Sequence, residues 1–243
     1  MSNKCLFCLS QENSFSSVEH IFPESLGNKE KVLPKGVVCD KCNNEVLSGL
    51  DNHLLKFEPL SFLLTMHVVK SKKGKVPSTG LGNMKIENPT GSHIQVILDS
   101  FKSHMPIENG FKLQMKGGRK LTARYLKLVT RALYKIVLEL IYLDHGYEFA
   151  HSKRFDEIRD IVLGKEDFGG YLLISSGNER SHPCGVTYSF LKDEETTKNF
   201  TFFEFNYMFL KIISDLERRE VLLESNDKFY GMTVLKFEKE TKS

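Results

Sequence analysis

Four cysteines in two close pairs, Cys5-x-x-Cys8 and Cys39-x-x-Cys42, bracket a Glu19-His20 dipeptide, and the second pair runs straight into Asn43-Asn44. Two intervening residues let both sulfurs of a pair reach one ion. Four soft thiolates in a tetrahedron select Zn²⁺ and leave it no open position. A zinc held by Cys5, Cys8, Cys39 and Cys42 is therefore expected to be structural. A redox site would need only one such pair, in a βαβ setting. Glu19, His20 and Asn43 offer different chemistry. A carboxylate and an amide oxygen are hard ligands suited to Mg²⁺ or Mn²⁺, ions that keep several waters. A neighbouring imidazole can take a proton from such a water. The fifth cysteine, Cys184, stands alone and reads as a small buried hydrophobe.

The chain around these residues has 243 positions, room for one large domain or a small one joined to a medium one. Its 40% hydrophobic and 27% charged content is ordinary for a soluble globular protein. No apolar run is long enough to span a bilayer. The opening Met1-Ser2-Asn3-Lys4-Cys5 carries no apolar core of a signal peptide. Close cysteine pairs fit a reducing compartment better than a disulfide framework. A cytoplasmic location and no membrane partner are expected.

Residues 1–56 are poor in core formers and rich in turn formers, so a metal is expected to supply stability that packing cannot. Val46, Leu47, Leu50, Leu54 and Phe57 fall at helical spacing and predict a helix over 44–57. The Lys-, Gly-, Ser- and Pro-rich stretch 70–92 reads as a loop or linker. Strands are expected over 94–101 and 111–116, with Pro106 and Gly110 between them. The strongest helix spans 120–144, with Tyr125, Val129, Ala132, Leu133, Ile136 and Leu140 on one apolar face. Gly146 stops it. A second helix is expected at 153–163 and another at 210–224. Strands are expected at 170–175, 185–191, 200–209 and 229–237. The aromatic run of the third (Phe200, Phe202, Phe203, Phe205, Tyr207, Phe209) reads as core packing rather than a base-stacking face.

Net charge is only +3, but its distribution is uneven. Between 116 and 138 the sequence carries Lys116, Arg119, Lys120, Arg124, Lys127, Arg131 and Lys135 and no acid. Lys120, Arg124, Lys127, Arg131 and Lys135 form a stripe opposite the apolar helix face. Such a stripe is either a solvated surface or a set of phosphate contacts. Its single sign favours a polyanion, because solvated faces mix both signs.

Taken together, Cys-x-x-Cys, Glu-His-Ile-Phe-Pro-Glu-Ser-Leu-Gly and Val-Val-Cys-x-x-Cys-Asn-Asn resemble the zinc-knuckle branch of the HNH endonucleases, over residues 5–58. The resemblance implies a ββα-metal fold at the N-terminus, and the helices and strands expected further along make the chain α+β. An N-terminal zinc-stapled ββα-metal module (treble-clef-like, 1–58) is followed by a connecting segment (59–92) and a larger α+β domain (93–243). It implies a metal-dependent DNA endonuclease: His20 matches the general base, Glu19 the acidic ligand of a Mg²⁺ or Mn²⁺ ion, and Asn43 the second ligand. RNA cleavage would need the same residues. The family's middle Asn steadies the loop carrying the base, and none stands at Val32-Leu33-Pro34-Lys35. Asn28 is the nearest candidate and Asn44 the next. Asn44 and Asp51 could also support the metal, or serve as a helix cap and a solvated helix residue. The domain 93–243 is expected to recognise the target, or to assemble with a second copy or a partner protein. Defence against foreign DNA is the biology that the resemblance suggests. The competing reading is an inactive zinc module that binds nucleic acid or protein.

Overall fold

The computed structural model describes residues 4–28, 30–70, 74–81, 84–98, 104–113, 121–176, 186–192, 200–208, 210–216 and 232–239. Behind the second cysteine pair a wide π-helical turn, Cys42–Leu47, leads into α1 (Ser48–Leu55). Together they form the helix expected over 44–57. α2 (Glu58–Met66) follows, with proline in its first turn, where no amide is needed. β1 (Ser78–Leu81), β2 (Met84–Glu87) and β3 (Gln95–Leu98) form a three-stranded antiparallel sheet, and β4 (His104–Ile107) pairs with β5 (Gly110–Leu113). The stretch 59–92, expected as a connection, thus holds a helix and two strands. α2 buries Leu60 and Leu64, and its Ser61 hydroxyl meets that of Thr79 in β1 at 2.8 Å. Turn-rich composition marked the bends of this region and hid its short strands. Pro106 lies within β4, in a two-stranded ladder where a missing amide costs little.

α3 (Ala123–Ala150) is the axis of the molecule. Its start is capped by the Thr122 hydroxyl, which accepts from the Tyr125 amide. Gly146, at φ 81° and ψ −177°, kinks it where the sequence placed its stop; a Cβ would be strained there. The expected apolar face is buried, but so are its flanks: every residue from 132 to 141 is inaccessible. A helix covered on all sides belongs to an interior, not to a surface.

α4 (Asp156–Leu163) packs on α3, in the place expected for the second helix. β6 (Gly170–Ser176), β7 (Val186–Lys192), β8 (Phe200–Tyr207), β9 (Leu210–Asp215) and β10 (Met232–Phe237) form an antiparallel sheet in the order β10-β6-β9-β8-β7. β8 and β10 contact α3. Phe203, Phe205 and Tyr207 alternate inward and are fully buried, as core packing requires. β9 corrects the helix expected over 210–224. Leu210, Ile212 and Ser214 are buried at period two, and Met208 at φ 54° turns the chain into the new strand. Residues 217–224 of that expected helix, and Cys184, lie outside the described residues.

The apolar interior is one cluster. It runs from Cys5, Leu6 and Phe7 through Ile21, Phe22 and Leu50 to Val129, Ile136, Phe203 and Phe237. The N-terminal region therefore rests on packing against α3 as well as on its cysteines. Arg159, only 2% exposed, ties this region down further by donating Nε to the Leu6 carbonyl at 2.9 Å. His151 Nε2 meets the Lys4 carbonyl at 3.0 Å. No helix among the described residues is long and apolar enough to cross a membrane.

Candidate active site and metal centre

The four cysteine sulfurs lie within 4.8 Å of one another, with Cys8 Sγ and Cys39 Sγ 3.7 Å apart. A tetrahedron with Zn–S bonds of about 2.3 Å has edges of about 3.8 Å, so the set fits a zinc ion. The knuckle backbone already points amides at sulfur: Cys39 N donates to Cys5 Sγ at 3.4 Å and Cys42 N to Cys39 Sγ at 3.5 Å. The Cys42 hydrogen bond is the main cause of a Cys5 thiol lowered to about 4. Asn13 Nδ2 adds a side-chain donor to Cys39 Sγ at 3.5 Å. Nothing in the local pattern singled out Asn13, a polar residue in a turn-rich stretch.

The Glu-His segment lies beside this centre. His20 forms an antiparallel bridge with Val32, flanked by hydrogen bonds from Ile21 N to the Lys31 carbonyl (3.1 Å) and from Leu33 N to the Glu19 carbonyl (2.9 Å). The expected β-hairpin is thus reduced to one bridge, and neighbours must hold it. Asn28 spans the loop between the two arms. Its Nδ2 donates to the carbonyls of Phe22 (3.4 Å) and Lys31 (3.3 Å), and its Oδ1 accepts from Lys31 N at 3.1 Å. Ile21 and Phe22 plunge into the core. Phe22 packs on Tyr188 of β7, whose ring also carries Lys31 Nζ 4.6 Å above its centroid.

Asn43 sits in the π-turn behind the second knuckle. It donates Nδ2 to Ser17 Oγ (3.2 Å) and to the carbonyl of Val18 (3.3 Å), the residue before Glu19. Its nitrogen is therefore spent on holding the Glu-His strand, and Oδ1 is the atom left for a cation. Ser16 and Ser17 are gripped in turn by Asp40. The Asp40 carboxylate accepts from both serine amides and both hydroxyls and lies well below the usual range, chiefly through the Ser17 hydroxyl. Asn44 is exposed, its carbonyl accepting from Ser48 Oγ at 2.8 Å.

Under His20 lies a buried ion cluster. Lys135 of α3 is 0% exposed. Its Nζ lies 2.5 Å from Glu19 Oε1, 2.9 Å from Asp51 Oδ1 and 3.6 Å from Glu139 Oε2, and donates to the His20 carbonyl at 3.0 Å. Burial pulls the ammonium down, but Glu139, Asp51 and Glu19 outweigh it and raise it above the ordinary lysine value. Burial likewise raises Glu19 and Asp51 against the opposing pull of Lys135; His20 adds a smaller lowering effect on Asp51. Glu139, fully buried and with no hydrogen-bond partner for either oxygen, is driven furthest upward, first by desolvation. His20 itself is half-buried, and its Nδ1 is buried without a partner.

This geometry corrects the basic stripe. Lys135 faces the interior and cannot meet phosphate. Lys127 is 7% exposed and pairs with Asp167. Arg131 is half-buried and donates to the Val162 carbonyl. Arg124 is exposed, and Lys120 lies outside the described residues. Lys127 and Lys135 lie inside because α3 is buried well beyond its apolar face, while its first turn leaves Arg124 in solvent. One signal was present: Lys135 and Glu139 are four apart in a run, 132–141, that is otherwise apolar. That pattern marks an internal ion pair.

Four cysteines placed to hold a metal ion thus lie beside a strand carrying Glu19 and His20, and Asn43 reaches back to that strand. Residues 5–57 match the family model for HNH endonuclease, a span that holds both knuckles, Glu19-His20 and Asn43. The match covers under a quarter of the chain. No curated protein and no solved structure matches it.

Proposed function

We propose that this protein is a metal-dependent endonuclease that hydrolyses DNA phosphodiester bonds. The observation that carries the reading is the bond from the Asn43 amide to the Val18 carbonyl, which ties the last residue of the motif to the strand bearing Glu19 and His20. His20 is the general base: it takes a proton from a water whose oxygen attacks phosphorus as the bond to the 3′-oxygen breaks. Asn43 Oδ1 and the Glu19 oxygen not paired with Lys135 would hold a Mg²⁺ or Mn²⁺ ion, with Asn44 at its edge. Such an ion supplies charge stabilisation at the phosphate and the leaving oxygen. The cysteine centre holds a structural zinc. In this reading residues 1–58 carry the chemistry, 59–92 connect, and 93–243 serve target recognition or assembly; among the described residues of the stripe, Arg124 is the solvent-facing cation for a phosphate. The division is one of roles, since the core runs through it.

The test is plasmid nicking by the full chain in Mg²⁺, Mn²⁺ or EDTA. Nicking is expected only with the divalent ions. His20→Ala should lower cleavage by about 10²–10⁴-fold while zinc content and DNA binding stay unchanged. Undiminished cleavage by that variant would remove His20 from the chemistry.

A further inference from the structure

We propose that Lys135 is a positioning residue of the active site, through which α3 sets the backbone of His20 and the carboxylates of Glu19 and Asp51. This rests on the nuclease reading of that site. An ammonium has three donors, and Lys135 has three close acceptors on two separate segments: Glu19 Oε1 and the His20 carbonyl on the catalytic strand, and Asp51 Oδ1 on α1. Its fourth neighbour, Glu139, lies one turn along its own helix and is the most distant.

Packing does not explain a lysine here. Leu133, Ile136, Val137, Leu138 and Leu140 around it are fully buried, and an apolar side chain at 135 would avoid the desolvation of a charge. What the lysine adds is direction. Among the described residues the catalytic strand meets its partner through a single bridge, too little to fix a base by itself. Lys135 fixes the main chain of the base and the side chain of the neighbouring acid with one rigidly seated group. The active site is therefore completed by a residue far outside the matched span 5–57.

The test separates geometry from charge balance. Lys135→Met removes the ammonium. Lys135→Met combined with Glu139→Lys moves it one turn along α3, keeping a buried cation for Glu19 and Asp51. Both variants are compared with the wild-type chain for zinc content, cooperative unfolding, kcat and KM for plasmid DNA, and amide exchange. The relocated variant is expected to keep its zinc and its unfolding transition. Its kcat should fall at least tenfold with KM unchanged, and its Ile21 and Leu33 amides, which flank His20, should exchange at least tenfold faster. The Cys39 and Cys42 amides should be unaffected. Wild-type kcat and wild-type exchange in the relocated variant overturn the proposal. So does loss of the folded state in both variants, which makes Lys135 a requirement of the fold. Should the wild-type chain not cleave DNA, the nuclease reading fails, and exchange at Ile21 and Leu33 alone decides the positioning role.

Discussion

Two polar clusters hold the N-terminal region, and they are built in opposite ways. The cysteine cluster is local: two pairs 31 residues apart across the Cys8–Cys39 contact, with amides from the same knuckles on the sulfurs. The Lys135 cluster is distant. Its bonds to Asp51 and to the His20 carbonyl span 84 and 115 residues. The first gathers four sulfurs, soft ligands placed to share one metal ion. The second uses hard oxygens around an ammonium, with three carboxyl groups for one cation. The lesson is a division of labour. A cysteine cluster can brace a short segment, whereas Glu19 and the His20 backbone are met by a group brought in from α3.

Breaking the local cluster should have the largest effect. Cys39→Ser is expected to abolish the bound zinc and the cooperative melting of the N-terminal region, since structural zinc contributes about 10–16 kcal/mol in small zinc peptides. Metal analysis and a thermal scan check it; a variant that melts as the wild type does would show that packing on α3 suffices. Breaking the distant cluster should cost less. Lys135→Met leaves buried carboxylates without a cation and should lower stability by about 3–5 kcal/mol, read from the urea midpoint, with zinc retained.

Glu139→Gln sharpens the contrast because its sign is reversed. Desolvation raises the Glu139 carboxyl above its unfolded value, so the folded state binds the proton more tightly. Folding stability is then undiminished below the unfolded pKa, near 4.3, and falls as pH rises toward the folded pKa. Glu139→Gln lifts that loss. Its stability advantage over the wild type should widen from pH 5 to pH 8, by at most about 1.4 kcal/mol per pH unit. A gap that stays constant with pH would mean that Glu139 is not held protonated. The smallest effect belongs to Asn28→Ala, which removes three loop hydrogen bonds and should cost about 1–2 kcal/mol. Limited proteolysis between Phe22 and Lys31 should report it before any global melt does.

What the sequence made legible follows the same line. The cysteine cluster, α1, α4 and the inward alternation of Phe203, Phe205 and Tyr207 are read from neighbours in sequence, and they stand in the structure. Gly146 was legible as a break for the same reason, but the helix it was expected to stop resumes and runs to Ala150. The basic stripe misled because helical periodicity tells which residues share a face, not what covers that face. Lys127 and Lys135 found Asp167 and Glu19 in segments that no local pattern connects to α3. β9 misled because a mixed apolar and charged run fits both periods until a neighbouring strand selects one. Asn28 was noted only as a substitute for an absent residue; its three bonds across the loop depend on a fold that spacing does not reveal.

The long reach of Lys135 also orders events in time. A chain leaves the ribosome from its N-terminus at about 5–20 residues per second, so residue 135 emerges roughly 5–20 s after Cys42. The knuckles can close early in that interval. Glu19 and the backbone of His20 acquire their anchor only at its end. During synthesis the cysteine cluster can stand assembled, while the strand carrying Glu19 and His20 stays without its Lys135 anchor until α3 arrives.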